Sequence, residues 1–309
     1  MAPRPPTASP CPTRIERHGD VRDDEYTWMR RGDDPEALAY VRKENRYAAA
    51  VMRPHAGLER MLFQEMKQRY REDDEQVPER RGEFLYFWRS PRGKEHKVLY
   101  RRPVLAGALA RPILDLNALA AALGVPSLHL GAVEPSPDHR RLAYTVDPTG
   151  GEHHRLFVVE LEAGTPPRLI AEDLAPCLAW AADSRTLFCC GLNDVGQARL
   201  ALRVDAERPG ERHVVFREDA PSFFVSCRRS RSGEWIFIVS SSNTSDEIRI
   251  LRSESPEEAP RLLHARAPGV ELRVAHHGRH FYVLTNDQAP AGRILRAPVA
   301  GPSEWREFL

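Results

Sequence analysis

Ser136–Val146 reads SPDHRRLAYTV, a polar turn followed by an apolar strand. The same unit, a turn containing Gly, Asp or Ser and then a strand, occurs four more times, as RRGEFLYFW (Arg80–Trp88), AADSRTLFCC (Ala181–Cys190), SRSGEWIFIV (Ser230–Val239) and HHGRHFYVLT (His276–Thr285). The units repeat every 45 to 56 residues, counted at Gly82, Asp138, Asp183, Gly233 and Gly278. This repeat is the strongest indication of the fold class in the sequence.

A period of about 40 to 50 residues with several strands in each period is typical of β-propeller blades. The second unit, for example, continues with RLFVVELEAG and PRLIAEDL, which read as two further strands. A single four-stranded blade cannot bury both of its faces, so the repeat predicts a radial stack of blades. A β-sandwich would explain short strands, but it would not explain a repeating turn.

A helical pattern precedes the repeat. Asp34 can cap a helix, Pro35 suits its first position, and Pro54 ends it. A second helix is predicted from Leu58, Leu62, Met66 and Tyr70, which recur every four residues. The sequence therefore predicts a mainly β protein: a flexible N-terminus (1–17), an N-terminal helical arm built on a helical hairpin (18–78), and an all-β partial propeller (79–309).

Composition excludes several classes of function. Of 309 residues, 45 are Lys or Arg and 44 are Asp or Glu, so the net charge gives no reason to expect nucleic acid or membrane as a partner. The basic run Arg228–Arg231 is interpreted as a solvated turn. The N-terminus lacks the apolar core of a signal peptide, and the apolar stretches at 118–123 and 235–239 are too short to span a bilayer.

The five cysteines show no CxxC spacing, which predicts reduced thiols in a cytoplasmic protein. Cys189 and Cys190 are adjacent in a predicted strand. We expect them to face opposite sides of a sheet, rather than to serve a redox or metal function.

Two longer stretches carry a family likeness. They are HGDVRDDEYTWMRRGDDPEALAYVRKENRYAAAVM (His18–Met52) and EDAPSFFVSCRRSRSGEWIFIVSSSNTSDEIRILRS (Glu218–Ser253). They resemble the prolyl oligopeptidase family of serine peptidases, in particular its oligopeptidase B branch. The resemblance implies a helical arm, a seven-bladed propeller that admits only short peptides, and an α/β-hydrolase domain with a Ser-His-Asp triad that cleaves after Arg or Lys.

The chain departs from that pattern in what it lacks. Only about five blade units precede Leu309, and the G-x-S-x-G motif that exposes a nucleophilic serine is missing. The nearest imitation is Ser240–Ser242, which lacks both glycines and is interpreted as a hairpin loop. We therefore expect the hydrolase domain to be absent and no residue of this chain to be catalytic.

The histidines are interpreted as structural residues and not as metal ligands. Two histidines four residues apart bind one metal ion when they lie on the same face of a helix. Gly278 lies between His276 and His280 and predicts a turn there, so we expect the histidines to be solvated loop residues. We also expect no cofactor. The histidines considered are His153, His154, His276, His277 and His280. His18 is expected to order the arm.

Asp138 and Asp183 are expected to cap blade turns by accepting backbone N–H groups, and not to act as general acids or bases. Thr149–Gly151 is expected to be a hairpin turn, because a phosphate-binding loop would require a following Lys and a helix.

Three functions remain open at this stage. The first is the substrate-gating propeller of an oligopeptidase B-like enzyme, inactive alone. The second is a free-standing propeller that binds a peptide or protein. The third is a chain that docks onto a separately encoded hydrolase chain and rebuilds the enzyme; in that case short peptides are the substrates.

Overall fold

Five antiparallel blades follow one another in the second part of the chain. The computed structural model describes residues 3–302 and 304–309. It divides into two compact units, one ending at Asp73 and one running from Asp74 to Leu309. The arm was predicted to end at residue 78, so the propeller begins slightly earlier than the sequence indicated.

The first unit contains the predicted helices. Its elements are β1 (Thr13–Arg17), β2 (Asp20–Asp24), α1 (Pro35–Met52) and α2 (Ala56–Gln68), with single 3-10 turns at Thr27–Arg30 and Arg53–His55. The Asp34 carboxylate accepts hydrogen bonds from the backbone N–H groups of Glu36 (2.8 Å) and Ala37 (3.4 Å), which fixes the start of α1 as expected. A 3-10 turn at Arg53–His55 joins the two helices.

The start of this unit is more ordered than predicted. Residues 13–17 were assigned to a flexible N-terminus, but they form β1 and pair with β2 along its whole length. His18 (φ 54°) and Gly19 (φ 80°) make the connecting turn. Two successive left-handed residues are the geometry of a type I′ hairpin turn, in which a His-Gly pair replaces the more common Asn-Gly. His18 thus helps to order the arm, as expected.

The second unit consists of five blades, the number that the repeat predicted. Its strands are β3 (Asp74–Glu75), β4 (Glu79–Arg81), β5 (Phe84–Ser90), β6 (Val98–Pro103) and β7 (Arg111–Asp115) in blade 1; β8 (His129–Pro135), β9 (Arg141–Asp147), β10 (His154–Glu160) and the first half of β11 (Arg168–Trp180) in blade 2; the second half of β11, β12 (Thr186–Leu192), β13 (Ala198–Asp205) and β14 (Arg212–Arg217) in blade 3; β15 (Phe224–Arg229), β16 (Trp235–Ser241), β17 (Asp246–Arg252) and β18 (Arg261–His264) in blade 4; and β19 (Leu272–His277), β20 (His280–Thr285), β21 (Arg293–Pro298) and β22 (Arg306–Glu307) in blade 5. In blade 1, β3 and β4 both pair with β5 and together form the first strand.

Blades 2 and 3 share one strand. Leu169 and Ala171 of β11 pair with β10, whereas Leu178, Ala179 and Trp180 pair with β12. A register shift between Leu174 and Leu178 separates the two halves. Bulges of this kind bend a strand and redirect it. As a result, the outer strand of blade 2 continues without interruption into the first strand of blade 3.

Four hydrophobic clusters lie between consecutive blades and form the core. They join blade 1 to blade 2, blade 2 to blade 3, blade 3 to blade 4 and blade 4 to blade 5. Cys189 belongs to the cluster against blade 2 and Cys190 to the cluster against blade 4. The prediction that these neighbours face opposite sides of a sheet is therefore confirmed, and the blades stack face to face.

A left-handed residue closes the first hairpin of every blade. These residues are Gly82, His139, Ser184, Gly233 and Gly278, with φ between 57° and 79°. Where the residue is not glycine, an aspartate precedes it: Asp138 accepts from the backbone N–H of Arg140 (3.1 Å), and Asp183 accepts from that of Thr186 (2.8 Å). The two aspartates therefore cap turns, as the sequence indicated.

One helix interrupts the predicted all-β region. α3 (Leu116–Leu123) follows β7 in blade 1 and reads LNALAAAL. Asp115 caps it by accepting from the backbone N–H of Asn117 (2.8 Å), and Gly124 ends it in the left-handed conformation (φ 67°). The composition of strong helix formers explains why an all-β prediction was wrong here. Among the described residues, no helix is long and apolar enough to cross a membrane.

Candidate functional site

The serine run that most resembles a nucleophile lies in a hydrogen-bonded hairpin. Ser240 is buried at the end of β16 and donates its hydroxyl to Glu218, while the hydroxyl of Ser242 donates to the Ser245 carbonyl (3.1 Å). Burial would raise the pKa of Glu218, but hydrogen bonds from Arg266 and Ser240 hold it below its usual value. In the described part of the chain, no histidine contacts these hydroxyls, so the arrangement is an ion-pair network.

The candidate histidines do not come together, and the expectation of solvated loop residues was wrong for His154 and His276, which are buried in β10 and β19. His276 and His277 are adjacent in β19 and face opposite sides of blade 5, and burial lowers the pKa of His276. His276 accepts from or donates to the Ser232 hydroxyl through Nδ1 (2.8 Å), whereas His153 contacts Asp173 in blade 2 (3.1 Å). No metal-binding constellation of histidines exists among residues 3–302 and 304–309.

The turn at Thr149–Gly151 is organised by a carboxylate. Asp147 is buried and accepts from the backbone N–H groups of Thr149 (2.8 Å), Gly150 (3.0 Å) and Glu152 (2.7 Å). Burial would raise the pKa of Asp147, but these hydrogen bonds lower it to about 2. The amides that a phosphate would need already have a partner, and the predicted hairpin turn is confirmed.

A cluster of three cysteines was missed at the sequence level, where Cys190 was expected to have no redox or metal function. The Sγ atoms of Cys177, Cys190 and Cys227 all lie within 4.8 Å of one another, between blades 3 and 4. Hydrogen bonds from the thiols of Cys190 and Cys227 hold the pKa of Cys177 well below its usual value. Because the three residues are far apart in sequence and belong to three strands, no spacing rule could have indicated them.

A cavity of about 530 Å³ lies where the first strands of four blades end. The first strands β8, β11 and β15 lie side by side, as expected for the strands nearest a propeller axis. We call this space the axial cavity. It is lined by Glu79, Arg80, Arg81, Gly82, Glu134, Pro135, Ser136, Pro137, His139, Leu178, Ala179, Trp180, Arg228, Arg229, Ser230, Arg231 and Gly233.

The lining of the axial cavity is strongly charged. Arg81 of blade 1 forms ion pairs with Glu134 of blade 2 and with Glu79 (3.3 Å). Burial would lower the pKa of Arg81, but these ion pairs raise it; burial raises the pKa of Glu134. The Trp180 indole donates to the Glu134 carbonyl (2.9 Å), so blade 3 is tied into the same wall.

The basic run Arg228–Arg231 is part of this wall. It was interpreted as a solvated turn, but Arg228 and Arg229 lie in β15 and only Arg231 lies in the turn. Burial lowers the pKa of both Arg228 and Arg229. The interpretation as a turn was therefore wrong for Arg228 and Arg229, which are neighbours in a first strand and point to opposite sides of it. Arg228 and Arg231 are nevertheless exposed and Arg229 is half-buried, so the run is largely solvated, as expected.

Comparison with known proteins identifies the fold. The family model for the prolyl oligopeptidase N-terminal β-propeller domain matches residues 5–309. The chain belongs to the prolyl oligopeptidase family. The match spans nearly the whole chain, so both the helical arm and the five blades fall within the part that defines this domain in the family.

Curated relatives of the prolyl oligopeptidase family agree with this assignment. The chain is 36% identical over 306 residues to an uncharacterized peptidase of Sinorhizobium fredii, with 94% of this chain and 42% of the relative covered. It is 31% identical to dipeptidyl aminopeptidase BI of Pseudoxanthomonas mexicana (99% and 45% covered) and 28% identical to protease 2 of Moraxella lacunata (95% and 44% covered). The chain therefore spans less than half the length of these relatives.

Solved structures show the same fold. Oligopeptidase B from Leishmania major superposes with a TM-score of 0.88 at 24% identity, covering 99% of this chain and 46% of that one. Oligopeptidase B from Trypanosoma brucei superposes with a TM-score of 0.87 at 24% identity, covering 98% and 45%. The predicted resemblance to the oligopeptidase B branch is confirmed at the level of family and fold.

Proposed function

We propose that this chain is the substrate-gating propeller of an oligopeptidase B-like serine peptidase, and that it hydrolyses short peptides only together with an α/β-hydrolase domain. The axial cavity is the observation that carries this proposal, because four blades converge on it in a chain that spans 42 to 46% of its relatives. No triad partner accompanies Ser240 in the described residues, so the catalytic groups would come from that other domain.

The size and charge of the axial cavity support a gating role. Its volume of about 530 Å³ suits a few residues of extended peptide and excludes a folded protein. Five arginines and two glutamates line it, so the excess of guanidinium groups would attract the C-terminal carboxylate of a short peptide.

The exposed apolar surface of the helical arm is further evidence for a partner domain. Apolar side chains of α2 and the residues after it are exposed to between 45% and 67% of their surface, namely Leu58, Met61, Leu62, Phe63, Met66 and Tyr70. Exposed apolar surfaces of this kind mark protein interaction sites. We infer that they dock onto the hydrolase domain, whether that domain is continuous with this chain or encoded separately.

The test is hydrolysis of a fluorogenic dipeptide that contains arginine. The purified chain should be inactive alone and active after mixing with the α/β-hydrolase domain of an oligopeptidase B-like enzyme. Activity of the chain alone would overturn the proposal. If the mixture showed no hydrolysis but the chain bound short peptides measurably, the free-standing peptide-binding propeller would be favoured.

A variant of the arm sharpens this test. Phe63→Asp should reduce the activity of the mixture by about tenfold or more, because a charge is placed on the inferred docking surface. The matched control is Leu109→Asp, which changes another exposed apolar residue (89% exposed) in the propeller unit and should leave the activity unchanged. Equal losses in both variants would exclude the arm as the docking surface.

A further inference from the structure

Three cysteine sulfur atoms converge between blades 3 and 4. Cys177 lies in the bulge of β11, Cys190 in β12 and Cys227 in β15. Their Sγ atoms lie within 4.8 Å of one another, and Cys177 and Cys227 are 3.8 Å apart. Within the described residues, no other group of three His, Cys, Asp or Glu ligand atoms is so closely spaced.

The spacing of these atoms matches metal coordination. A disulfide bond needs two sulfur atoms about 2.05 Å apart, so the observed distance is that of unbonded thiols. Metal–sulfur bonds of about 2.3 Å place sulfur atoms about 3.8 Å apart in a tetrahedral site and about 4.0 Å apart in a trigonal site. One ion could therefore contact all three thiolates with only small adjustments of the side chains.

We propose that Cys177, Cys190 and Cys227 form a three-thiolate site for one thiophilic d¹⁰ cation, either Zn²⁺ with one further ligand from solvent or three-coordinate Cu⁺. Thiolates select these soft ions over Mg²⁺ or Ca²⁺, which prefer oxygen ligands. The site is independent of the proposed gating function, since none of the three cysteines lines the axial cavity.

The surroundings of the three cysteines suit a closed site with a single opening. Cys190 and Cys227 are buried in the apolar cluster between blades 3 and 4, whereas Cys177 is partly exposed. A solvent ligand could therefore reach the ion only from the side of Cys177. The single Cys227 S–H proton has two acceptors within reach, Cys177 Sγ (3.8 Å) and the Phe188 carbonyl (3.3 Å), and metal binding would displace it and the other thiol protons into solvent.

Binding at this site would tie two blades together. Cys177 and Cys190 belong to blade 3 and Cys227 to blade 4, and a ligand that binds only the folded state stabilises it. We expect one equivalent of Zn²⁺ or Cu⁺ to raise the Tm by roughly 5 °C when free metal is about 100 times Kd. Because thiol protons are displaced, the apparent affinity should rise with pH.

The experiment uses the full chain with Cys11→Ser, which removes the exposed thiol. Zn²⁺ and Cu⁺ are titrated separately under reducing conditions, and Tm, metal content and release of metal to a chelator are measured. Cd²⁺ serves as a spectroscopic probe through its thiolate charge-transfer absorption. Cys190→Ala should abolish the metal-dependent shift in Tm.

The matched control is Cys189→Ala. Cys189 is the next residue in β12, is equally buried and faces the opposite blade, so its loss should lower the Tm but preserve the metal-dependent shift. If Cys190→Ala fails to fold, Cys177→Ala in the partly exposed bulge replaces it. Failure of the parent chain to bind either metal, or an unchanged shift in the Cys190 or Cys177 variant, would overturn the proposal.

Discussion

Apolar side chains are buried in the propeller but largely exposed in the helical arm. In the propeller, four hydrophobic clusters are buried between consecutive blades. In the arm, Ala37 is the only described hydrophobic residue that is fully buried, while Leu62 and Phe63 of α2 are 45% and 58% exposed. A repeat can bury its apolar faces against its own neighbours, whereas two consecutive helices of this length need another surface.

Truncation of one phenylalanine in each region should give the largest difference in the free energy of unfolding between the propeller and the arm. Phe237 is fully buried between blades 4 and 5, so Phe237→Ala should lower the free energy of unfolding by about 3 to 5 kcal/mol. Phe63→Ala should change it by less than about 0.5 kcal/mol. Chemical denaturation followed by tryptophan fluorescence measures both, and comparable losses would mean that the arm has a core of its own.

Substitution of glycine by alanine should have opposite signs in the two regions. Gly82 has φ +57°, and a Cβ atom there would lie 2.7 Å from the His139 ring, so Gly82→Ala should destabilise the propeller by about 2 kcal/mol. Gly57 lies in α2, and a methyl group added there would meet no atom within 4 Å, so Gly57→Ala should stabilise the helix by up to about 1 kcal/mol. Thermal melting followed by circular dichroism tests the signs, and a neutral Gly82→Ala would show that the turn has room to relax.

A difference in acid sensitivity should be the smallest effect. The pKa of Asp147 is about 2 in the folded propeller and about 3.9 in an unfolded chain, so its stabilising contribution is complete above about pH 5 and is lost as the pH falls towards 2. Asp147→Asn should therefore remove about 1 to 2 kcal/mol of the pH dependence in this range. Asp24, a half-buried carboxylate of the arm whose pKa is lowered by the backbone N–H of Tyr26, is the control.

Denaturation midpoints measured at several pH values between 2 and 5 test this prediction. Asp24→Asn should remove a smaller part of the pH dependence, because the Asp24 carboxylate accepts from one backbone N–H group and the Asp147 carboxylate from three. If the Asp147 variant also kept the full pH dependence, the turn at Thr149–Gly151 would not be the source of acid sensitivity.

Much of the fold could be predicted from the sequence because its signals are local. The start of α1 follows from Asp34 and Pro35, and the opposite orientations of Cys189 and Cys190 follow from the alternation of a strand. The repeating turns indicated the number of blades, because each first hairpin needs a left-handed residue and so carries glycine or an aspartate-capped substitute.

Features that depend on distant residues could not be predicted in this way. The cysteine cluster requires knowing that β15 packs beside β11 and β12, and the axial cavity requires the ends of four first strands to meet. The hairpin at residues 13–24 was missed for another reason: its strands are exposed and polar, so they lack the apolar alternation that identifies a strand.

The uninterrupted course of β11 has a consequence for how the propeller opens. One strand supplies backbone hydrogen bonds to both blade 2 and blade 3, so neither blade can lose its ladder without disturbing the other. Such a pair should act as one cooperative foldon. Amide protons of Leu178–Trp180 and of β10 should therefore exchange with deuterium at similar, slow rates, while those of the separately built blade 5 exchange sooner.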